Sequence, residues 1–258
     1  MIRALYTSAQ AMNTQIQSMD VIANNIANVN TTGFRTSTVV TQSFPQLLMQ
    51  SMNMSVGEAP FRDRTIGGMT LGTTISDVSV NFTNGAFEMT AGELDLAIQG
   101  DGFFTVEAIG RNGEAITMFT RAGSFAISSD NFLVNQSGYR ILDDSGNAIQ
   151  IPNGTIEISP SGVVTVNSTN IATLGITAFE DNSLLRQHGY TLFTALDGAV
   201  QVPFAGQVYQ GHLERSNVNI IREMVNMVNV SRKYEINSRL IGMHDTTLGQ
   251  AVNEIARN

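Results

Sequence analysis

The chain has 258 residues, 42% of them apolar and 14% charged, which places it among globular proteins with unusually few charges on the surface. It has no Cys, which excludes disulfides, thiolate metal sites and cysteine nucleophiles, and no Trp among its few aromatics, which argues against a sugar- or base-stacking cleft. Residues 31–210 carry seven Arg and sixteen Asp or Glu, a net −9 within the chain's −8, and an acidic body of this kind argues against binding the phosphate backbone of nucleic acid.

In chain order, the first element is the most regular. Ile2, Leu5, Ala9, Met12, Ile16, Met19, Ala23 and Ile26 recur at alternating spacings of three and four. Four heptads with apolar a and d positions predict a helix with a coiled-coil seam and a left-handed supercoil against its partner. Asn13, Thr14, Gln15, Gln17, Ser18, Asn24, Asn25 and Asn28 stand where charges normally solvate a helix, and predict a second, neutral polar interface. Asn30 to Gly33 should end the helix. The start lacks the basic, apolar and small-residue succession of a cleaved secretory signal, and no apolar run is long enough to span a membrane.

Residues 36–72 have no clear period. They hold Pro45 and Pro60, Met49, Met52, Met54 and Met69, and the charged Arg62-Asp63-Arg64. A stretch of this length is functional, disordered alone, or ordered by its neighbours. The middle then turns to short runs such as GFFTVEAI, ITMFTRAGSFAIS, FLVN, YRIL, AIQI, TIEIS, VVTV and LGITAF. Between them fall Asn112-Gly113, Asp130-Asn131, Ser137-Gly138, Ser145-Gly146-Asn147, Asn153-Gly154 and Ser161-Gly162. Turn signals at this interval predict an antiparallel β domain.

The final helix keeps the four-three rhythm through Ile220, Met224, Met227, Ser231, Tyr234, Ser238, Ile241, Asp245, Leu248, Val252 and Ile255. Ile221, Val225 and Val228 widen its apolar face beyond what one neighbour covers. The fold class read from this order is α+β: paired N- and C-terminal coiled-coil-like helices around a mainly antiparallel β middle. Residues 1–32 with 211–258 form a terminal-helix assembly domain, 33–72 a connecting segment, and 73–210 a β-rich outer domain.

Chemistry is hard to find. His188, His212 and His244 lack metal-ligand spacing. Gly100-Asp101-Gly102 begins like a dinucleotide loop but lacks the third glycine and a following helix. Asp143-Asp144-Ser145-Gly146-Asn147 has calcium-loop residues at the wrong spacing and reads as a turn. No catalytic residue, cofactor or metal ligand emerges. The best reading from residues alone is a subunit whose ends pack on copies of itself.

Three long motifs lie in order along the chain: MDVIANNIANVNTTGF, Met19 to Phe34; AGELDLAIQGDGFFTV, Ala91 to Val106; and LERSNVNIIREMVNMVNVSRKYEINSRLI, Leu213 to Ile241. Together they resemble the flagellar rod and hook proteins, and within that family the distal-rod type. The resemblance implies export without a cleaved signal by the type III apparatus. It further implies helical homopolymerisation in the periplasmic basal body and contact with proximal rod, hook and bushing-ring proteins. The assembly interface would then comprise the first-helix residues of the seam with Asn24 and Asn25, and Ile220, Met224, Met227, Tyr234, Ile241, Leu248, Val252 and Ile255. Alternatives are a proximal-rod subunit, or a secreted carbohydrate-binding or peptidoglycan-active β domain; the latter leaves both helical seams unexplained.

Overall fold

A computed structural model of the chain describes residues 2–43, 47–51, 64–69, 72–109 and 115–255. Two helices bracket it, α1 (Ile2–Ala27) and α2 (Ile220–Ile255), with short, mainly antiparallel strands between them. The class is α+β, as the alternation of periods predicts. The chain forms two compact units: residues 1–24, 38–79 and 221–258 make the first, and residues 25–37 and 80–220 the second.

The first unit collects both terminal helices. It also holds most of a two-stranded pairing of Ser37–Ser43 with Thr73–Val80, and a hairpin of Leu47–Ser51 with Arg64–Met69. In the hairpin Leu47 faces Met69 and Ser51 faces Arg64, with a bulge between Met49 and Gln50. The stretch 36–72, aperiodic in sequence, therefore contains strands. Its remaining features, Pro45, Met52, Met54, Pro60 and Arg62-Asp63, lie outside the described residues, as does Asn112-Gly113.

The second unit is the β body. Its central strand, Phe103–Ile109, pairs on one side with Ala115–Thr120 and on the other with Arg140–Ile141 and Ile176–Phe179. Successive strand residues point to opposite faces, so Phe103 and Phe104 enter different cores. Phe104 joins Leu96, Ile98, Val106, Leu133, Ile141, Ile149 and Val164 in the larger one. Phe103 joins Phe119, Phe179, Leu185 and Phe193 in a smaller aromatic one, where Phe119 and Phe179 meet edge to face at 4.9 Å. Complete burial of one such ring contributes about 2–3 kcal/mol. A three-stranded sheet of Ile156–Ile158, Val163–Val166 and Thr169–Thr173 adds to the larger core.

The turn signals are placed as expected at Asn131, Gly138, Gly146 and Gly162, all in left-handed conformations. Asp143 closes its turn by accepting from the amides of Ser145 (2.9 Å) and Asn147 (2.7 Å). AIQI forms only isolated bridges, at Ala148 and Gln150, rather than a strand. Strands beyond LGITAF carry less apolar alternation and do not stand out in sequence: Leu185–His188, Leu192–Ala195, Gln207–Gln210 and His212–Glu214. The last two complete the body by pairing with Leu96–Gln99 and Phe87–Met89.

Candidate assembly interface

Helix α1 holds an amphipathic pattern whose covered side is not the one its apolar spacing indicates. Ser8, Thr14 and Asn25 are buried, and Ala4, Ala11, Gln15, Ser18 and Ile22 are half-buried along the same stripe. That stripe is the expected seam displaced by one residue. Of the seam itself, Leu5, Met12, Met19 and Ile26 are half-buried, whereas Ala9, Ile16 and Ala23 are exposed, Ile16 by 42%. Ile2 lies in the helix with its side chain outside the described residues.

Hydrogen bonding explains the displacement. The Thr14 hydroxyl donates within reach of two carbonyls, Gln10 O at 3.1 Å and Thr73 O at 3.2 Å, the second on the neighbouring strand. Ser18 donates to Thr14 O at 2.8 Å. Asn25 acts as a strand partner for Ser37, donating to its carbonyl at 2.8 Å and accepting from its amide at 3.0 Å. Small polar side chains thus let the helix lie against extended backbone, and the apolar seam is left for something else.

Two expectations are corrected here. Asn25, expected on an exposed polar face, is 1% exposed and bonded to Ser37, so within the subunit it is an internal staple. Asn24 beside it is exposed. The helix stops at Ala27, before the expected Asn30–Gly33 terminus, and tight turns from Val29 N to Ile26 O and Thr31 N to Asn28 O carry the chain onward. Gly33 has φ of +68° but caps no helix; a Cβ there would overlap the backbone of Arg121 and Ala122.

Helix α2 is covered along one narrow stripe, and it too sits partly off the expected seam. Met227, Tyr234, Ile241 and Leu248 are half-buried, together with Val230, Asn237, His244 and Ala251. Ile220, Met224 and Val252 are exposed, and the side chain of Ile255 lies outside the described residues. The widened face expected from the sequence is open: Ile221 is 73% exposed, and Val225 and Val228 are exposed with it at helical spacing. Ile236 and Met243 continue the open face. Ile221, Met224, Val225 and Val228 repeat on one side of the first two turns, and exposed apolar residues at this spacing mark an interaction surface; Arg232 and Arg239 interrupt the same side farther along.

The body contains an ionic cluster that no sequence motif marks. Arg35 and Glu214 are fully buried, with Nη2 donating to Oε1 at 2.8 Å, and Arg121 lies 3.5 Å from the second carboxylate oxygen. Gly85 N also donates to Glu214 Oε1, at 2.8 Å, and Arg121 donates to Ile98 O at 3.0 Å. Burial pulls the Arg121 pKa down to about 10, with Glu214 opposing the shift, so the group remains a cation at neutral pH. Arg35 Nε and Nη1, Arg121 Nε and Glu214 Oε2 make no hydrogen bond among the described residues, and the two cations share the Glu214 carboxylate, with Asp101 a weaker electrostatic partner of Arg121. In sequence these look like ordinary surface charges. The available signal was their setting within Gly33-Phe34-Arg35, Phe119-Thr120-Arg121 and Leu213-Glu214, beside buried or half-buried apolar residues.

Conventional sites are sparse. Among the described residues no group of three or more His, Asp or Glu is placed to hold a metal ion. A pocket of about 190 Å³ bordered by Asn28, Thr31, Ser124, Asn135, Gln136 and Tyr190 has neutral lining throughout. It offers hydrogen bonds but no carboxylate, imidazole or amine for acid–base work. Among the described residues no helix is long and apolar enough to cross a membrane.

Three family profiles match in chain order. Residues 5–35 match "Flagella basal body rod protein", 97–166 match "Flagellar hook protein FlgE/F/G D1 domain", and 209–254 match "Flagellar basal body rod FlgEFG protein C-terminal". Each segment contributes one member of the buried ionic cluster. The flagellar basal-body rod protein FlgG of Borreliella burgdorferi is 35% identical over 269 residues, 98% of each chain. FlgG of Bacillus subtilis is 32% identical over 273 residues, 98% of this chain and 99% of that one. The basal-body rod protein FlgF of Caulobacter vibrioides is 31% identical over 240 residues, 91% of this chain and 90% of that one. With relatives of this identity along nearly its whole length, the chain belongs to the family of flagellar basal-body rod proteins.

Proposed function

We propose that the chain is a structural subunit of the distal rod, polymerising helically through its terminal helices into the shaft that carries torque from motor to hook. The observation that carries this reading is the uncovered apolar surface on both helices: Ala9, Ile16 and Ala23 on α1, and Ile221, Met224, Val225 and Val228 on α2. Soluble monomers seldom leave such a repeating face in water. In a head-to-tail polymer the same face is covered by a neighbouring copy, and a rotation that does not close a ring yields a filament.

On this reading the helices and the strands of residues 38–79 form the assembly part, and the acidic β body faces outward toward the bushing rings. Its partners are further copies, the proximal rod and hook proteins, and the export apparatus. The role is mechanical, without catalysis, cofactor or metal. The FlgF relative favours one second reading, a proximal-rod subunit of the same family.

The experiment is complementation. Expression in strains lacking the distal or the proximal rod subunit assigns the position by which one regains motility. Removal of residues 1–30 should abolish rods in basal bodies viewed by electron microscopy. Intact rods and normal swimming after that deletion would overturn the assembly role.

A further inference from the structure

The backbone passes between the two units at four places, after Asn24, Ser37, Ser79 and Ile220. In the body these crossings belong to three segments: residues 25–37, the stretch beginning at Val80, and the stretch ending at Ile220. Side-chain hydrogen bonds join all of them. Asn25 and Ser37 exchange two bonds, which ties the first crossing to the second. Asn217 Oδ1 accepts from the Thr36 amide at 2.8 Å and the Thr36 hydroxyl at 2.7 Å. Asn217 Nδ2 donates to the carbonyls of Asn81 and Thr83, both at 2.9 Å, and Asn81 N donates to Thr36 O at 2.8 Å. One amide therefore ties the second, third and fourth crossings together.

Glu214 reinforces the same junction. Its carboxylate takes Arg35 and Gly85 N, and its carbonyl accepts from Gly33 N at 2.8 Å. A Cβ on Gly85 would overlap the Arg215 carbonyl, so the segments touch backbone to backbone. Ordinary turn chemistry satisfies polar groups within a few residues. Asn217 instead reaches partners 181 and 136 residues away, and its amide accepts from or donates to both other segments at once.

We infer that Asn25, Glu214 and Asn217 are positioning residues of a clasp within the body that gathers the four points at which the chain enters and leaves it. Strain arriving along any of the four passes is shared among the others at this knot. The mechanical half of the inference rests on the proposed role as a rod subunit; the structural half does not.

Amide hydrogen exchange on the full chain tests the clasp. Asn217→Ala should raise exchange at Gly33, Thr36, Asn81 and Gly85 together, by roughly tenfold or more, while Phe104 and Val106 keep their protection. Acceleration confined to Thr36 overturns the clasp. Load-bearing is read from swimming speed against medium viscosity in a strain whose rod is built from this chain. Asn217→Ala should leave rod number unchanged and steepen the loss of speed. Val164→Ala, a buried substitution away from the junction, should reduce stability without that steepening. Parallel viscosity curves for both variants overturn load-bearing. Failure of the unaltered chain to support motility in either rod-deletion strain overturns the rod reading instead, and exchange alone then decides the clasp. If Asn217→Ala does not fold, Thr36→Val, which removes only the hydroxyl bond, carries the same comparisons at smaller amplitude.

Discussion

Replacing Glu214 by Gln tests the ionic account of the body most sharply. The change is nearly isosteric and keeps one oxygen to accept from Gly85 N and Arg35, both at 2.8 Å. It removes the anion shared by two buried guanidinium groups and sets an amide donor against the Arg121 donor 3.5 Å away. Breaking a buried pair by removing one partner costs about 3–5 kcal/mol. Against a total stability of about 5–15 kcal/mol this is a large fraction. At about 2–4 °C per kcal/mol for a unit of this size, the Tm should fall by roughly 6–20 °C. Urea and thermal unfolding, followed by far-ultraviolet circular dichroism and tyrosine fluorescence, measure it, since the chain has no Trp. Arg121→Met should cost less than Glu214→Gln, because Arg121 is already penalised by desolvation and the closer Arg35 pair survives. The double variant should recover part of the Glu214→Gln loss by removing one uncompensated cation. A Glu214→Gln protein within about 1 kcal/mol of the parent would refute the reasoning, since that cost is ordinary for a surface site.

Other expectations follow from single contacts. Asn25→Ala leaves the amide and carbonyl of Ser37 without their side-chain partner and should cost about 2–4 kcal/mol in equilibrium unfolding; a neutral result would show that solvent replaces both bonds. Ile16→Asp and Ile221→Asp change exposed positions, so each should leave the isolated subunit's Tm within about 2 °C yet block incorporation into rods. Equal incorporation of either variant would remove that position from the interface. Hydrogen bonds from the Ser183 side chain and backbone hold the Asp181 carboxyl below its ordinary pKa. Its stabilising contribution is therefore present above the ordinary aspartate range and is lost as pH falls through the lowered value. A nuclear magnetic resonance titration of Asp181 with an unshifted midpoint would contradict this.

The helices were legible because their period is local: every third or fourth residue reports one face. What the period could not report is which face the subunit itself covers. Apolar spacing points at Ile16, whereas the covered stripe runs through Ser8, Thr14 and Asn25, whose partners Thr73 and Ser37 are set by tertiary structure. Strands such as Phe103–Ile109 showed through their β-branched and aromatic content. Gln207–Gln210 did not, because two of its four residues are amides and Val208 alone is buried. Arg35, Arg121 and Glu214 were illegible for a related reason. A charged residue in sequence defaults to the surface, and only the fold brings its counter-ion from a distant segment.

That distance has a kinetic meaning. Arg35 and Glu214 are separated by 179 residues, and the strands at 87–89 and 96–99 wait for partners at 212–214 and 207–210. Pairings this remote must close long loops before they are rewarded, and such topologies fold in milliseconds to seconds rather than microseconds. During translation the body lacks its closing strands until all but about the last fifty residues have been made. The order in which its parts emerge therefore leaves Phe87–Met89 and Leu96–Gln99 without their partners until Gln207–Gln210 and His212–Glu214 have been made.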